Sequence, residues 1–153
     1  MYEELLIEAH ALGVEVYEVR MKGRDHGLYS DFIIWIDKRL KSVVKMTCVL
    51  AEEIGHHHKT VGDITDQTIL LNRKQEKHAR TWGYLRLIPL SAFISAHRAG
   101  VRNRFELAQF LGVTEKFVDD TITRYQELYG LHAIHDGHLI MFDPLMVVDP
   151  IDL

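Results

Sequence analysis

The sequence contains a single cysteine, three prolines and no long apolar run. One cysteine, Cys48, cannot form an internal disulfide, which fits a protein of a reducing compartment. No apolar stretch approaches the roughly 20 residues that a membrane-spanning helix requires. The first four residues are acidic in character and lack the basic segment of a signal peptide. We therefore expect a soluble, cytoplasmic protein with no membrane partner.

The sequence also has no excess of positive charge. The chain has 18 Lys and Arg against 22 Asp and Glu, a net charge of −4 with His neutral. Nucleic-acid-binding domains usually carry the opposite balance. The 153 residues, with 47% apolar and 26% charged residues, correspond to one ordinary globular domain, to which a small module can be appended.

Apolar periodicity predicts an α+β fold that opens with a small sheet. The first elements that we expect are a helix over 2–12, strands over 14–19, 27–29 and 32–36, and a long helix over 40–58. The buried stripe predicted for the long helix consists of Val43, Thr47, Leu50 and Ile54. Gly55 is costly inside a helix and indicates a close approach of another backbone or of a metal site.

The second part of the chain is predicted to be largely helical. Asn72 and Gln75 resemble a capping box that opens a helix ending before Pro89. The elements expected after it are a helix over 90–99, a helix-turn-helix outline over 105–129, a hairpin over 131–142 and an irregular tail over 143–153. We predict a core over 1–89 and a helical module with a terminal hairpin over 90–153, packed as one compact unit.

Near the end of the long helix, two carboxylates are followed at helical spacing by imidazoles. Positions i and i+4 share one helix face, which places Glu52 over His56 and Glu53 over His57. Glu52 and His56 lie roughly opposite the apolar stripe and face a cleft, whereas His57 rotates back toward the core. We therefore favour Glu52 and His56 as metal ligands and keep His57 as the reserve ligand.

This segment resembles the zinc-peptidase pattern His-Glu-x-x-His with Glu52 in place of the first His. On that alignment Glu52 and His56 bind the metal and Glu53 is the general base. The most specific resemblance is to the ImmA/IrrE-like metallopeptidases, many of them encoded by prophages and mobile elements. The resemblance runs from the first helix to the terminal hairpin and implies a zincin-like core.

In the ImmA/IrrE-like family the third ligand is a Glu on the next helix. It belongs to a Glu-x-x-Ala pattern followed by an aromatic residue and a Leu-Ile-Pro-like end. Here Glu76, Ala79 and Trp82, followed by residues 87–89, are similar to that pattern. The resemblance therefore implies that Glu76 completes a site for Zn²⁺ in a metal-dependent endopeptidase.

The replacement of a His ligand by Glu52 changes the chemistry that we expect. A second carboxylate ligand lowers the Lewis acidity of the metal and widens the choice of metal toward Mn²⁺ or Co²⁺. Two alternatives therefore remain for this site: weaker hydrolytic activity, or a metal site that serves only the structure. Glu and His at this spacing are also common on solvated helix surfaces that bind no metal.

The helix-turn-helix outline also admits a DNA-binding interpretation. From Val101 to Tyr129, however, four basic residues stand against five acidic ones, which disfavours direct nucleic-acid binding. The family resemblance implies instead a protein substrate, often a helix-turn-helix repressor that is cleaved or inactivated. The alternative is a non-catalytic antirepressor, an interaction module that binds a repressor without cleaving it.

Overall fold

The computed structural model describes residues 1–152 and confirms the predicted α+β fold. The helices in chain order are α1 (Tyr2–Ala11), α2 (Val43–Lys59), α3 (Leu70–Leu87), α4 (Leu90–Arg98), α5 (Arg104–Leu111) and α6 (Glu115–Tyr129). The strands are β1 (Glu15–Val19), β2 (Gly27–Ser30), β3 (Ile33–Asp37), β4 (His132–His135), β5 (His138–Phe142) and β6 (Leu145–Val148). Residue contacts divide the chain into two compact units, Met1–Gly83 and a second unit that begins at Tyr84.

The first unit contains the expected three-stranded sheet, in the order β1-β3-β2. β1 and β3 are parallel, with Glu15 opposite Ile33, and β2 pairs antiparallel with β3. Asp31 and Phe32 join β2 to β3 with φ angles of 46° and 64°, as a two-residue hairpin turn requires. The fully buried apolar side chains of this unit belong to α1, β3, α2 and α3 and are Leu5, Ala9, Ile34, Ile36, Leu50, Ala51, Ile54 and Ala79.

Helix α2 begins three residues later than predicted. The Ser42 hydroxyl accepts a hydrogen bond from the Lys45 backbone N–H at 3.3 Å and caps the first turn. Thr47, Leu50 and Ile54 are buried as predicted, but Val43 is 63% exposed. The prediction for Val43 was wrong because apolar periodicity identifies one face of a helix but does not show how much of that face is covered by other elements.

Helix α3 begins at Leu70, two residues before the predicted capping box. The Asn72 amide instead donates to the Asp66 carbonyl at 2.9 Å, and the Gln75 side chain accepts from the Val61 N–H at 2.7 Å. Both residues therefore hold the connection between α2 and α3. Capping residues and loop-holding residues have the same polar character, so the sequence does not separate the two roles.

The second unit contains the predicted helix-turn-helix outline. Gly112, with φ 68°, ends α5, and the Thr114 hydroxyl accepts from the Phe117 N–H at 3.1 Å to cap α6. The predicted terminal hairpin is confirmed as β4 and β5, joined by Asp136 and Gly137 with positive φ angles of 49° and 74°.

Over residues 143–152 the prediction of an irregular tail was wrong; Leu153 lies outside the described residues. β6 pairs antiparallel with β5, with Met146 opposite Met141, and a short 3₁₀ helix follows at Pro150–Asp152. Pro144 indicated a break in structure, but it lies in the connection that reverses the chain. The apolar residues after it are therefore free to form a third strand.

Tyr125 lies at the centre of the second unit. Its ring stacks on Phe142 with the ring centroids 5.6 Å apart, and its hydroxyl donates to the Ile88 carbonyl at 2.8 Å. Burial raises the pKa of Tyr125 above its usual value. Throughout residues 1–152, the helices lack either the length or the apolar character that a membrane span requires.

Candidate metal centre

Glu52 and His56 lie on successive turns of α2, on the face that the apolar stripe leaves free. Leu50 and Ile54 are fully buried, whereas the side chains of Glu52 and His56 are 33% and 12% exposed. The spacing of four residues places the carboxylate and the imidazole on one helix face. The predicted pair of ligands therefore lies at the edge of the core, within reach of solvent.

Glu76 of α3 joins this pair. Its Oε2 lies 3.2 Å from Nε2 of His56, and its side chain is 21% exposed. One ligand atom from each of Glu52, His56 and Glu76 lies within 4.8 Å of the other two. Two helices thus bring together Glu52 and His56 of the sequence motif and Glu76, which the family resemblance implied.

A glycine lets the two helices approach closely beside the cluster. A Cβ atom placed on Gly55 would lie 2.1 Å from the Ala79 carbonyl oxygen, closer than any real contact. At Gly83 the same test gives 3.3 Å to the backbone of Ala51. The prediction that Gly55 marks a close backbone approach is therefore confirmed.

Glu53, the predicted general base, points toward the sheet and is 7% exposed. A Cβ atom on Gly27, the first residue of β2, would lie 2.7 Å from Glu53 Oε1. Burial raises the pKa of Glu53 well above its usual value, and the negative charges of Glu52, Glu76 and Asp25 add to this effect. A carboxyl group in this environment holds a proton at a higher pH than an exposed one does.

His57, the reserve ligand, lies outside the cluster of three. Its Nδ1 is 2.9 Å from the hydroxyl of Tyr29, and its ring makes an edge contact with Phe32. His58 packs against Trp82 at a centroid distance of 4.8 Å. The two histidines that follow His56 therefore contact aromatic rings of the first unit.

The negative charge of the cluster is partly offset by a residue that the sequence motif does not assign. Arg80 of α3 donates from Nε to Glu76 Oε1 at 2.9 Å and to Glu52 Oε1 at 3.2 Å. Burial raises the pKa of Glu52, Arg80 lowers it and Glu76 raises it, while burial lowers the pKa of His56. The i,i+4 spacing from Glu76 was the only signal for Arg80 in the sequence.

The donor atoms fit a divalent metal ion. One imidazole nitrogen and two carboxylate oxygens are accepted ligands of Zn²⁺, and three protein ligands leave one coordination position open, as catalytic zinc sites do. Burial lowers the pKa of His56 and so favours the neutral imidazole, the form that binds metals. The two carboxylates also suit Mn²⁺ and Co²⁺.

A known protein family matches the chain. The model of the IrrE N-terminal-like domain family, Peptidase_M78, matches residues 9–123 and so includes both α2 and α3. No curated protein and no solved structure matches the chain significantly. The family match covers well over half of the chain and contains all three residues of the cluster. The chain therefore belongs to the IrrE N-terminal-like family, a family of the metallopeptidase type.

Proposed function

We propose that the chain is a metal-dependent endopeptidase in which Glu52, His56 and Glu76 bind the metal. The observation that carries this proposal is the convergence of three ligand atoms, within 4.8 Å of one another, from two neighbouring helices. Membership of a metallopeptidase-type family supports the same chemistry. We propose zinc as the metal, with Mn²⁺ or Co²⁺ as alternatives because two of the three donors are carboxylates.

Glu53 is proposed as the general base. A metal ion held by Glu52, His56 and Glu76 would supply a Lewis acid that polarises the carbonyl of the peptide bond. Glu53 takes a proton from the attacking water and then donates it to the leaving amine. Proton transfer in both directions is most efficient when the pKa of the group lies near the working pH, and burial moves the pKa of Glu53 upward from its ordinary acidic range.

We propose a protein substrate, specifically a helix-turn-helix transcriptional repressor of a prophage or mobile element. This part of the proposal is supported by the resemblance to ImmA/IrrE-like proteins of such elements. We propose the cytoplasm as the site of the reaction; the single cysteine, Cys48, fits reducing conditions.

Direct nucleic-acid binding is not part of the proposal. In the helix-turn-helix segment, Arg104 pairs with Asp119, and Lys116 pairs with Asp120 at 2.5 Å. These two cations are already engaged with carboxylates, and the segment as a whole has more acidic than basic residues. Phosphate binding requires a surplus of basic groups. We propose that the segment is a scaffold or a docking surface for protein.

Metal analysis followed by a cleavage assay tests the proposal. Untagged protein should contain about one equivalent of metal, and the Glu52→Ala/His56→Ala double variant should contain none. The assay should use the cognate helix-turn-helix repressor as substrate. Glu53→Gln should keep the metal and lose cleavage by a factor of about 10² or more, the usual contribution of a general base. Unchanged cleavage by Glu53→Gln would exclude the proposed mechanism.

A non-catalytic antirepressor is the second candidate. It is favoured by the two carboxylates in the ligand set, which weaken the metal as a Lewis acid, and by the low exposure of Glu53. A protein of this kind would form a stable complex with the intact repressor. Its effect on repression would be the same in the wild type and in Glu53→Gln.

A further inference from the structure

Arg80 joins the two carboxylates of the candidate metal centre to each other. Its Nε–H is shared between Glu76 Oε1 at 2.9 Å and Glu52 Oε1 at 3.2 Å. Glu76 belongs to the same helix as Arg80, one turn earlier, whereas Glu52 belongs to α2. A single cationic group therefore connects ligands that are supplied by two different helices.

The two oxygens of Glu76 have different partners. Oε1 accepts from Arg80, and Oε2 lies 3.2 Å from Nε2 of His56. A metal ion bound between Glu76 and His56 needs the oxygen that faces the imidazole. Nε of Arg80 hydrogen-bonds to the other oxygen, Oε1. A hydrogen bond to one carboxylate oxygen fits a group that orients the second oxygen toward a metal ion.

The contacts of Arg80 also reduce the electrostatic repulsion between the Glu52 and Glu76 carboxylates. Two carboxylates that meet at one site repel each other, and the repulsion favours side-chain orientations in which they separate. Arg80 is 52% exposed, so solvent weakens each of its ion pairs. Its position between both carboxylates lets one guanidinium counter the repulsion on each of them.

We propose that Arg80 is a positioning residue that fixes the Glu52 and Glu76 carboxylates in the orientation that binds the metal. This inference rests on the proposed metal site and adds a fourth residue to it. Residues that hydrogen-bond to metal ligands typically change metal affinity about 10- to 100-fold when they are replaced. Removal of Arg80 should therefore weaken metal binding.

The change in metal affinity after removal of Arg80 distinguishes a residue that orients the ligands from one that repels the metal ion. A cation beside the site also repels a divalent ion and withdraws electron density from the carboxylate ligands. If this repulsion outweighed the orientation of the ligands, removal of Arg80 would strengthen metal binding. The sign of the change in Kd therefore decides between the two.

The experiment compares the zinc Kd of the full-length wild type with those of three variants, by competition with a chromophoric chelator at neutral pH. Arg80→Met removes the cation and keeps an apolar stem. Lys74→Met removes an exposed cation from the same helix as a matched control. We expect the Kd to rise about tenfold or more in Arg80→Met and to stay unchanged in Lys74→Met. Arg80→Lys should recover part of the loss, since an ammonium group can also pair with carboxylates.

Zinc binding by Arg80→Met that equals or exceeds that of the wild type would overturn the role of Arg80 and leave the metal site standing. A wild type that binds no zinc would overturn the metal site and the role of Arg80 together, so the two failures are distinguishable. Circular dichroism of each metal-free variant verifies that it is folded. If Arg80→Met does not fold, Arg80→Gln replaces it in the comparison, with the same expected loss of affinity.

Discussion

Gly55 of α2 faces the carbonyl oxygen of Ala79 in α3 with no room for a side chain between them. Because Gly55 lies one residue before His56 and Ala79 lies one residue before Arg80, this contact sets the distance between the two helices where the ligands meet. The close approach of the backbones is therefore a condition for the convergence of Glu52, His56 and Glu76.

Gly55→Ala should destabilise the protein and weaken metal binding. The new methyl group would lie 2.1 Å from a backbone oxygen, so the helices must separate. We expect a loss of about 2 kcal/mol or more in the free energy of unfolding, because overpacking outweighs the ~1 kcal/mol that Ala gains over Gly in a helix. Urea unfolding of the metal-free protein measures this change.

Gly83→Ala is the matched control for Gly55→Ala. The added methyl group would lie 3.3 Å from the backbone of Ala51, a tight contact that a small shift can relieve. We expect the free energy of unfolding to change by less than about 1 kcal/mol, because the helix propensity of Ala compensates. Equal effects of the two substitutions would contradict the role assigned to Gly55.

Metal binding should stabilise the native protein against unfolding. A ligand at 100 times its Kd contributes about 2.7 kcal/mol if it binds the folded state only. Added zinc should therefore raise the Tm of the wild type, and chelator should reverse the rise. His56→Ala should show little response to zinc, whereas His78→Ala, which replaces an exposed histidine of α3 outside the cluster, should respond as the wild type does.

The stability of the first unit should depend on acid through Asp37. This side chain is fully buried, and both of its oxygens accept hydrogen bonds from Nε of Arg39, at 2.8 and 3.0 Å. The Arg39 side chain holds the pKa of Asp37 well below its usual range, against the effect of burial.

A lowered pKa in the folded state means that the unfolded chain takes up the proton first as the pH falls. The contribution of Asp37 is therefore fully present above the unfolded pKa of about 3.9 and is lost progressively as the pH falls below it. We expect the free energy of unfolding to fall more steeply between about pH 5 and pH 2 in the wild type than in Asp37→Asn. Parallel curves would show that Asp37 does not contribute in this way.

The α5–α6 segment should not bind DNA. Its cations Arg104, Lys116 and Arg124 each pair with a nearby carboxylate. Fluorescence polarisation with labelled duplex DNA at low salt should show no binding at micromolar protein. A salt-dependent Kd in that range would instead indicate phosphate contacts and would favour a role as a DNA-binding regulator.

Local patterns in the sequence were sufficient to predict the face that carries Glu52 and His56, because helical spacing alone places them together. The meeting of this pair with Glu76 was predictable only through the family resemblance. Arg80 could not be assigned, since its contact with Glu52 depends on how α2 and α3 pack. That packing depends on the backbone contact at Gly55 and Ala79, which the sequence indicates only by a glycine.

The rest of the fold was limited in the same way. The strand order β1-β3-β2 was not predicted, because it depends on pairing between residues distant in sequence. Strand β6 was missed because Pro144 was interpreted as an end of regular structure rather than as part of a turn. Val43 continues the apolar pattern of α2 but is mostly exposed. In each case the local sequence pattern was real, but contacts with residues distant in sequence determined the structure that formed.

The connection between α2 and α3, residues 60–69, can vary in length without disturbing the candidate metal centre. The side chains of Gln75 and Asn72 hold it at Val61 and Asp66, and Gly62 between these points is exposed. Closing a flexible loop of twice the length costs only about 0.6 kcal/mol of entropy. The number of residues between His56 and Glu76 can therefore drift during evolution by insertions near Gly62, while the helix contact keeps the donor atoms in place.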